Sequence, residues 1–323
     1  MRRIVVHDPG GPEQMLLESV DAPVPGPVDL LISVAAAGVN FIDVYFRTGQ
    51  YKAERPLTLG SEAAGTVVAV GSSVTGFEVG DRVAYAMVRG AYAEQVVVPA
   101  AQVVKLPDAV SLEVAAAAML QGMTAHYLTR STFPVEAGQT CLVHAAAGGA
   151  GGLIVQMAHQ RGARTIGTVS SEAKAREARE LGCDDVIIYT EQDFETEVRA
   201  LTDGRGVDVV YDSVGLTTFD KGLKVLRPRG MMVLFGQSSG AVAPIDPQLL
   251  NARGSVFLTR PSLAHYVASP DELQWRATDL MHMIVSGALT IRIGGRYALA
   301  DAAQAHRDLE GRKTTGKLVL QVR

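Results

Sequence analysis

The chain has 323 residues, of which 47% are hydrophobic and 20% charged, and a formal net charge of −4 at pH 7. That length exceeds one small core and predicts two domains, and the mild negative balance provides no global field for nucleic acid or an anionic membrane surface. No apolar run approaches the roughly 18 residues of a membrane span, and the opening MRRIVVHDPG is too briefly apolar for a signal peptide.

Elements follow in chain order. From Arg3 to about Val104, short β-branched runs alternate with turn residues: DLLISVAAAGV, AAGTVVAVGSSV, GDRVAYAMV and AYAEQVVVP. They predict a compact antiparallel unit. SLEVAAAAMLQGMTAHYLTR is Ala-rich and helical, with Ser111 at its N-cap and Glu113 in its first turn. Strands and helices then alternate: TCLVHAA, a helix over 151–161, RTIGTVS, SEAKAREARELG, DVIIY, DFETEVRALTDG, VDVVYDSVG, a short helix and GMMVLFGQ. Such alternation predicts a parallel sheet with helices on both faces. From about Pro261 the pattern is helical again, and the closing strand GKLVLQVR reads as a return to the first domain. The two cysteines, Cys141 and Cys183, lie beside predicted strands. Two thiols cannot build a four-thiolate zinc site, so they read as reduced buried residues of a cytoplasmic protein.

The bend LVHAAAGGAGG sits between a strand and a helix, the context a dinucleotide fingerprint requires. In the G-x-G-x-x-G register it offers Ala146, Gly148 and Gly151, so the first glycine is missing. Gly148 admits a pyrophosphate to the backbone, Gly151 lets the helix sit close, and the helix N-terminus supplies N–H groups for phosphate. The competing reading is a small-residue packing site without a ligand. An NAD-preferring site places Asp or Glu at the end of the second strand. Here that position is Ser170, followed by Ser171, with Lys174 on the next helix and Arg176 behind it. Serine does not repel a 2′-phosphate and lysine attracts it, which favours NADPH, although Glu172 acts in the opposite sense.

Longer stretches carry a resemblance along nearly the whole chain: AGVNFIDVYFRTGQY, PLTLGSEAAGTVVAVG, VGDRVAY, AAAAMLQGMTAHYL, VHAAAGGAGG, VDVVYDSVG, FGQSSG, LTRPSLAHY and RKTTGKLVL. The chain resembles the zinc-independent quinone oxidoreductases of the medium-chain dehydrogenase/reductase superfamily, the group that includes the ζ-crystallins. The missing first glycine is that family's usual form. The resemblance implies an α/β protein with a discontinuous GroES-like β-rich catalytic domain over 1–122 and 262–323, and a Rossmann doubly wound domain over 123–261. It further implies NADPH contacts from Asn40, Thr124, the turn Ala147, Gly148, Gly149, Ala150 and Gly151, then Ser170, Ser171, Lys174, Tyr189, Phe235, Gly236, Ser238 and Arg312. Lys317 is a weaker candidate that reads as a solvated terminal lysine.

Zinc-dependent relatives carry Cys and His where this chain has Asn40 in GVN and Ser61 in GSE, which are poor zinc ligands. Glu62 then reads as a structural carboxylate, and the scattered His126 and His144 as core or surface residues. Without a metal, reduction of a quinone needs hydrogen-bond donors at its oxygen. Asn40, Tyr45 and Tyr51 come from a region that the resemblance places in a cleft between the domains. Asn40 is expected to hold the nicotinamide ribose and substrate, and Tyr45 or Tyr51 to donate; alternatively Tyr45 only packs on Phe46. Asp43 and Arg47 are expected to pair with each other. The expected activity is NADPH-dependent quinone reduction. An NADPH-dependent alkenal, enone or enoyl reductase is the closest rival, and an NADPH-binding structural or RNA-binding crystallin-like protein a more distant one. A homodimer joined through the GMMVLFGQ and SVFLTRP strands is implied, with no nucleic-acid or membrane partner.

Overall fold

Valine and small residues recur through the first hundred positions, and they build a sheet whose central strands are buried on both faces. The computed structural model describes residues 1–322 and divides into two compact units, Met1–Met123 with Tyr266–Arg323, and Thr124–His265. The first unit opens with β1 (Arg2–Val6), β2 (Leu16–Ser19), β3 (Asp29–Val39), α1 (Phe41–Arg47), β4 (Leu57–Thr58), β5 (Glu62–Val70), β6 (Arg82–Ala86), β7 (Gln95–Pro99) and β8 (Val103–Lys105). The unit boundary falls within α2 (Leu112–Tyr127). The Ser111 Oγ accepts from the Val114 N–H at 3.2 Å, which caps α2.

The second unit continues with β9 (Thr140–His144), α3 (Gly149–Gln160), β10 (Arg164–Val169), α4 (Glu172–Glu180), β11 (Asp185–Ile188), α5 (Phe194–Leu201), β12 (Val207–Asp212), α6 (Phe219–Lys224), β13 (Leu226–Leu234), α7 (Gln248–Ala252), β14 (Phe257–Thr259) and α8 (Leu263–Tyr266). The chain then returns to the first unit with α9 (Pro270–Val285), β15 (Ile293–Ala298), α10 (Ala302–Glu310) and β16 (Lys317–Gln321).

In the first unit the main sheet runs β15-β16-β3-β5-β6-β8, with β7 also paired to β3. Its core is Leu30, Ile32, Val34, Val67, Val83, Val98, Leu318 and Leu320 with the buried rings of Tyr85 and Tyr92. The antiparallel expectation fails at one edge, where β15 and β16 run parallel. The reason is the intervening α10, since a helical crossover returns the chain in the same direction. β16 pairs antiparallel with the end of β3, Leu318 opposite Val39, so the next step of the register sets Lys317 beside Asn40.

The second unit is one parallel sheet in the order β11-β10-β9-β12-β13-β14. This is the Rossmann arrangement, and the strand order reverses between β9 and β12, the switch point beside which such sheets bind ligands at their C-terminal strand ends. β9 is buried throughout. Two elements begin earlier than their patterns indicate. α3 starts at Gly149 because the small residues before Leu153 carry no apolar period, and β13 starts at Leu226, beyond Pro228 and Gly230, with an irregular register against β12.

Candidate active site

The second unit gathers its candidate residues at the C-terminal ends of the parallel strands. After β9 ends at His144, Ala145 takes φ +54° and the chain turns into α3. Gly148 caps that helix without a side-chain acceptor, so the N–H groups of Gly149, Ala150 and Gly151 have no intrahelical carbonyl and no cap. A Cβ on Gly151 would lie 2.2 Å from the Ala145 carbonyl oxygen and 3.2 Å from the Ala146 Cα. Only glycine allows the helix to start this close to the turn. An uncapped helix start with backbone exposed by glycine fits a diphosphate, whose oxygens accept from such N–H groups.

At the end of β10, Ser170 is half-buried and Ser171 caps α4, its Oγ accepting from the Lys174 N–H at 3.4 Å. Glu172, the acid in that first turn, is exposed and paired down the helix with Arg179 at 3.1 Å, so its carboxylate is drawn away from the helix start. Arg176 is exposed. The Tyr189 N–H donates to the Val169 carbonyl at 3.0 Å, which sets this 41% exposed residue at the same strand end as Ser170. Ser170, Ser171, Lys174 and Tyr189 therefore share one strand-end edge, with serine where an NAD site has a carboxylate.

Phe235, Gly236 and Ser238 follow β13 and clasp the loop after β12: Phe235 N–H donates to the Asp212 carbonyl at 2.8 Å and Ser238 N–H to the Ser213 carbonyl at 3.1 Å. A Cβ on Gly236 would lie 2.6 Å from the Ser213 carbonyl oxygen. Asp212, absent from the sequence-derived site, organises this pair of loops. Its carboxylate accepts from Val214 N–H, Gly215 N–H and the Thr218 hydroxyl at 2.7, 3.0 and 2.8 Å. The signal for it was an acid ending an otherwise apolar run, directly before the turn SVG. Thr124 and Ala147 are buried. His126 and His144 are core residues; the His144 Nδ1 meets the Thr168 hydroxyl at 2.9 Å and burial lowers its pKa. Cys141 and Cys183 are buried free thiols, and burial pushes Cys183 up to about 12, so neither is a nucleophile at neutral pH.

The first unit holds Asn40, Tyr45, Tyr51 and Arg312. Asn40 is the N-cap of α1, and Asp43 Oδ2 accepts the Asn40 N–H at 3.1 Å. Its side chain enters a buried cluster. The amide Nδ2 donates to Glu62 Oε1 at 2.7 Å and to the Gly38 carbonyl at 3.4 Å. The amide Oδ1 accepts from Lys317 Nζ at 2.6 Å and from Gln121 Nε2 at 3.2 Å. Lys317 Nζ also pairs with Glu62 Oε1, and Glu62 Oε2 accepts the Leu120 N–H at 2.6 Å. Glu62 is thus the structural carboxylate expected of it. Lys317 is not the solvated terminal residue expected, because the register of β16 on β3 buries it to 2% exposure. Burial lowers its pKa, opposed by Glu62.

Asp43 and Arg47 do not pair with each other, contrary to expectation. Asp43 turns inward, accepting from the Ser61 hydroxyl at 2.6 Å and the Tyr92 hydroxyl at 3.2 Å. Arg47 reaches Glu310 through two hydrogen bonds of 2.9 and 2.8 Å and donates to His306 Nδ1 at 3.0 Å. Arginine only donates, so Nδ1 accepts and Nε2 carries the proton toward Tyr92, 3.2 Å away. The imidazole is neutral: burial and then Arg47 lower its pKa to about 3. Burial raises the Asp43 carboxyl to about 6 against the opposing Ser61 hydrogen bond and Lys317 charge. The sequence reading missed Tyr92 and His306 because no local motif surrounds them.

Tyr45 does not rest simply on Phe46. Its ring packs 5.1 Å from Tyr51 and 6.3 Å from Phe41, and Tyr51 in turn meets Phe46 at 5.6 Å. Arg312 sits in the turn after α10 with φ +54°.

Residues 26–108 match the family described as alcohol dehydrogenase GroES-like domain, and 149–274 the family described as zinc-binding dehydrogenase. A quinone oxidoreductase of Pseudomonas aeruginosa is 46% identical over 321 residues, covering 99% of both chains. A 2-haloacrylate reductase of a Burkholderia species is 43% identical, covering 98% of this chain and 97% of its own. A mycobacterial structure complexed with NADPH superimposes with a TM-score of 0.97 at 51% identity over the full length of both chains. The zinc named in the second family description does not fit these residues. The described residues contain no group of three or more His, Cys, Asp or Glu able to hold a metal ion. Asn40 and Ser61 are weak donors, and the Lys317 ammonium between Asn40 and Glu62 repels a divalent cation.

Proposed function

Because the chain belongs to the quinone oxidoreductase family of the medium-chain dehydrogenase/reductase superfamily, we propose that it is an NADPH-dependent quinone reductase that works without a metal. The observation carrying this reading is the uncapped, glycine-opened start of α3 beside a strand end that presents Ser170, Ser171 and Lys174 instead of a carboxylate. The N–H groups of Gly149, Ala150 and Gly151 hold the diphosphate. Ser170 and Ser171 donate to the 2′-phosphate, Lys174 neutralises it, and Tyr189 covers the adenosine. Phe235, Gly236 and Ser238 line the nicotinamide end, and Thr124, Ala147 and Arg312 complete the contacts. When bound, NADPH supplies a hydride from nicotinamide C4. The chain's part is positioning: Asn40 holds the nicotinamide ribose and substrate, and Tyr45 and Tyr51 form an aromatic wall with a hydroxyl donor for the quinone oxygen that gains charge.

One relative supports a second reading. The 2-haloacrylate reductase at 43% identity favours hydride delivery to an activated carbon–carbon double bond, which needs the same site. Steady-state NADPH oxidation with 1,4-benzoquinone and with 2-alkenals separates the two, and a higher kcat/KM for the quinone is expected. Faster alkenal reduction transfers the assignment to the second reading. Tight NADPH binding without turnover on either would leave a binding protein.

Assembly follows from the sheet order. β13 is paired on both sides and cannot be an edge, whereas β14 is the terminal strand and exposes Phe257. We propose a homodimer joined along β14, because an unpaired apolar edge is covered by pairing with its own copy. A cytoplasmic location suits the two buried free thiols.

A further inference from the structure

Lys317 lies 277 positions from Asn40 in sequence, and the pairing of β16 with β3 delivers its ammonium to the Asn40 amide oxygen at 2.6 Å. Around that amide, donors and acceptors are sorted. Two donors, Lys317 Nζ and Gln121 Nε2, face Oδ1; two acceptors, Glu62 Oε1 and the Gly38 carbonyl, face Nδ2. Turned by 180°, the amide would set its NH₂ against an ammonium and its oxygen against a carboxylate. The two contacts to charged groups are the short ones, 2.6 and 2.7 Å, and those to Gln121 and Gly38 are longer, 3.2 and 3.4 Å. Charge-assisted bonds therefore hold the amide, and the weaker pair is what a ligand can replace.

We propose that Lys317 is a positioning residue. Acting through Asn40, it locks the amide in the one orientation that leaves an N–H and an oxygen lone pair exchangeable for a hydroxyl-bearing ligand. This rests on the reading of Asn40 as a contact for the cofactor ribose. Glu62 completes the lock, since the same Oε1 takes both the ammonium and the amide. Lys317 itself does not touch the reacting atoms.

The test uses Lys317→Met alone and Glu62→Gln with Lys317→Met, the second leaving no unpaired carboxylate should the first fail to fold. Each is made with and without Asn40→Ala. Dissociation constants for NADPH are measured by fluorescence, and exchange of the Asn40 side-chain amide protons by NMR on protein labelled with ¹⁵N-asparagine. The double variant is expected to bind NADPH at least about tenfold more weakly, the scale of a lost charge-assisted hydrogen bond. In the Asn40→Ala background the same change is expected to cost less than about twofold, because coupled residues are not additive. Amide exchange of Asn40 is expected to quicken by about tenfold or more. Equal losses in both backgrounds, or unaltered exchange, overturn the proposal. Wild-type NADPH affinity in Asn40→Ala alone removes the ligand contact and with it the functional role of Lys317. Amide exchange then still shows whether Lys317 orients the amide, so the two failures are distinguishable.

Discussion

The Asn40 cluster of the first unit and the strand-end edge of the second hold polar groups in opposite ways. The first unit buries charged groups and satisfies them: Glu62 with Lys317, Arg47 with the exposed Glu310, and Asp43 with the hydroxyls of Ser61 and Tyr92. The second unit also buries and saturates Asp208, with Arg205 and Arg227, and Asp212. At the starts of α3 and α4, however, it leaves backbone N–H groups and half-buried serines with no buried carboxylate to answer them. A saturated buried cluster gives geometry, because any one member removed strands another in low dielectric. An unsaturated strand-end edge gives affinity for an anionic ligand, because its donors are already oriented and lack only an acceptor.

Removing one charge from each region is the sharpest way to break this contrast. Glu62→Ala strands the buried Lys317 ammonium and frees the Leu120 N–H and the Asn40 amide. It is expected to lower the unfolding free energy by about 3–5 kcal/mol, the usual consequence of breaking a buried pair. Urea denaturation reads this, and wild-type stability would show that the cluster is not electrostatically coupled. Lys174→Ala in the second unit is expected to leave the fold intact and weaken NADPH by about 1.5–3 kcal/mol, with NADH changed by less than about twofold. Equal weakening of both cofactors would refute the 2′-phosphate role.

The smallest effect is a pH dependence confined to the first unit. His306 has its pKa lowered from 6.5 to about 3, so the folded state binds fewer protons than the unfolded chain between those values. Its contribution to stability is present above pH 6.5 and is lost as pH falls toward 3. Asp43, raised from 3.8 to about 6, runs the other way: its contribution is present below 3.8 and is lost as pH rises through 6. Comparing wild type with His306→Asn isolates the first term. The stability difference between them is expected to shrink by up to about 2 kcal/mol from pH 6.5 to 5, at ~1.4 kcal/mol per pKa unit. A constant difference would mean that the imidazole is not held neutral by the fold.

Most of the second unit was readable from sequence, because each candidate feature sits in a short βα segment. Strand-then-glycine-then-helix locates the turn after β9, and the residue at the end of β10 lies a fixed distance further on. The first unit was readable only as strands. DLLISVAAAGV and VGDRVAY announce their β character through branched residues, yet nothing beside Asp43 points to Tyr92, and nothing beside Arg47 points to Glu310. The helical spacing of Asp43 and Arg47 even indicates the wrong partnership, since an i,i+4 pair is the local expectation and tertiary burial overrules it.

The sequence by itself determined a two-unit α/β chain, a glycine-opened helix start, serine and lysine at the second strand end, and weak donors at two positions where zinc-dependent relatives carry ligands. The division into two units comes from length, and the zinc-ligand positions from the resemblance. The helix start and the second strand end depend on residues within about one supersecondary element of each other, where periodicity and spacing carry the information. Only the tertiary structure decided that the penultimate strand, β15, runs parallel to β16, that Lys317 is buried, and that its ammonium meets Asn40 and Glu62. Those contacts are made by strand register between the two ends of the chain. Register is set by the packing of the whole sheet, which no local run of residues encodes.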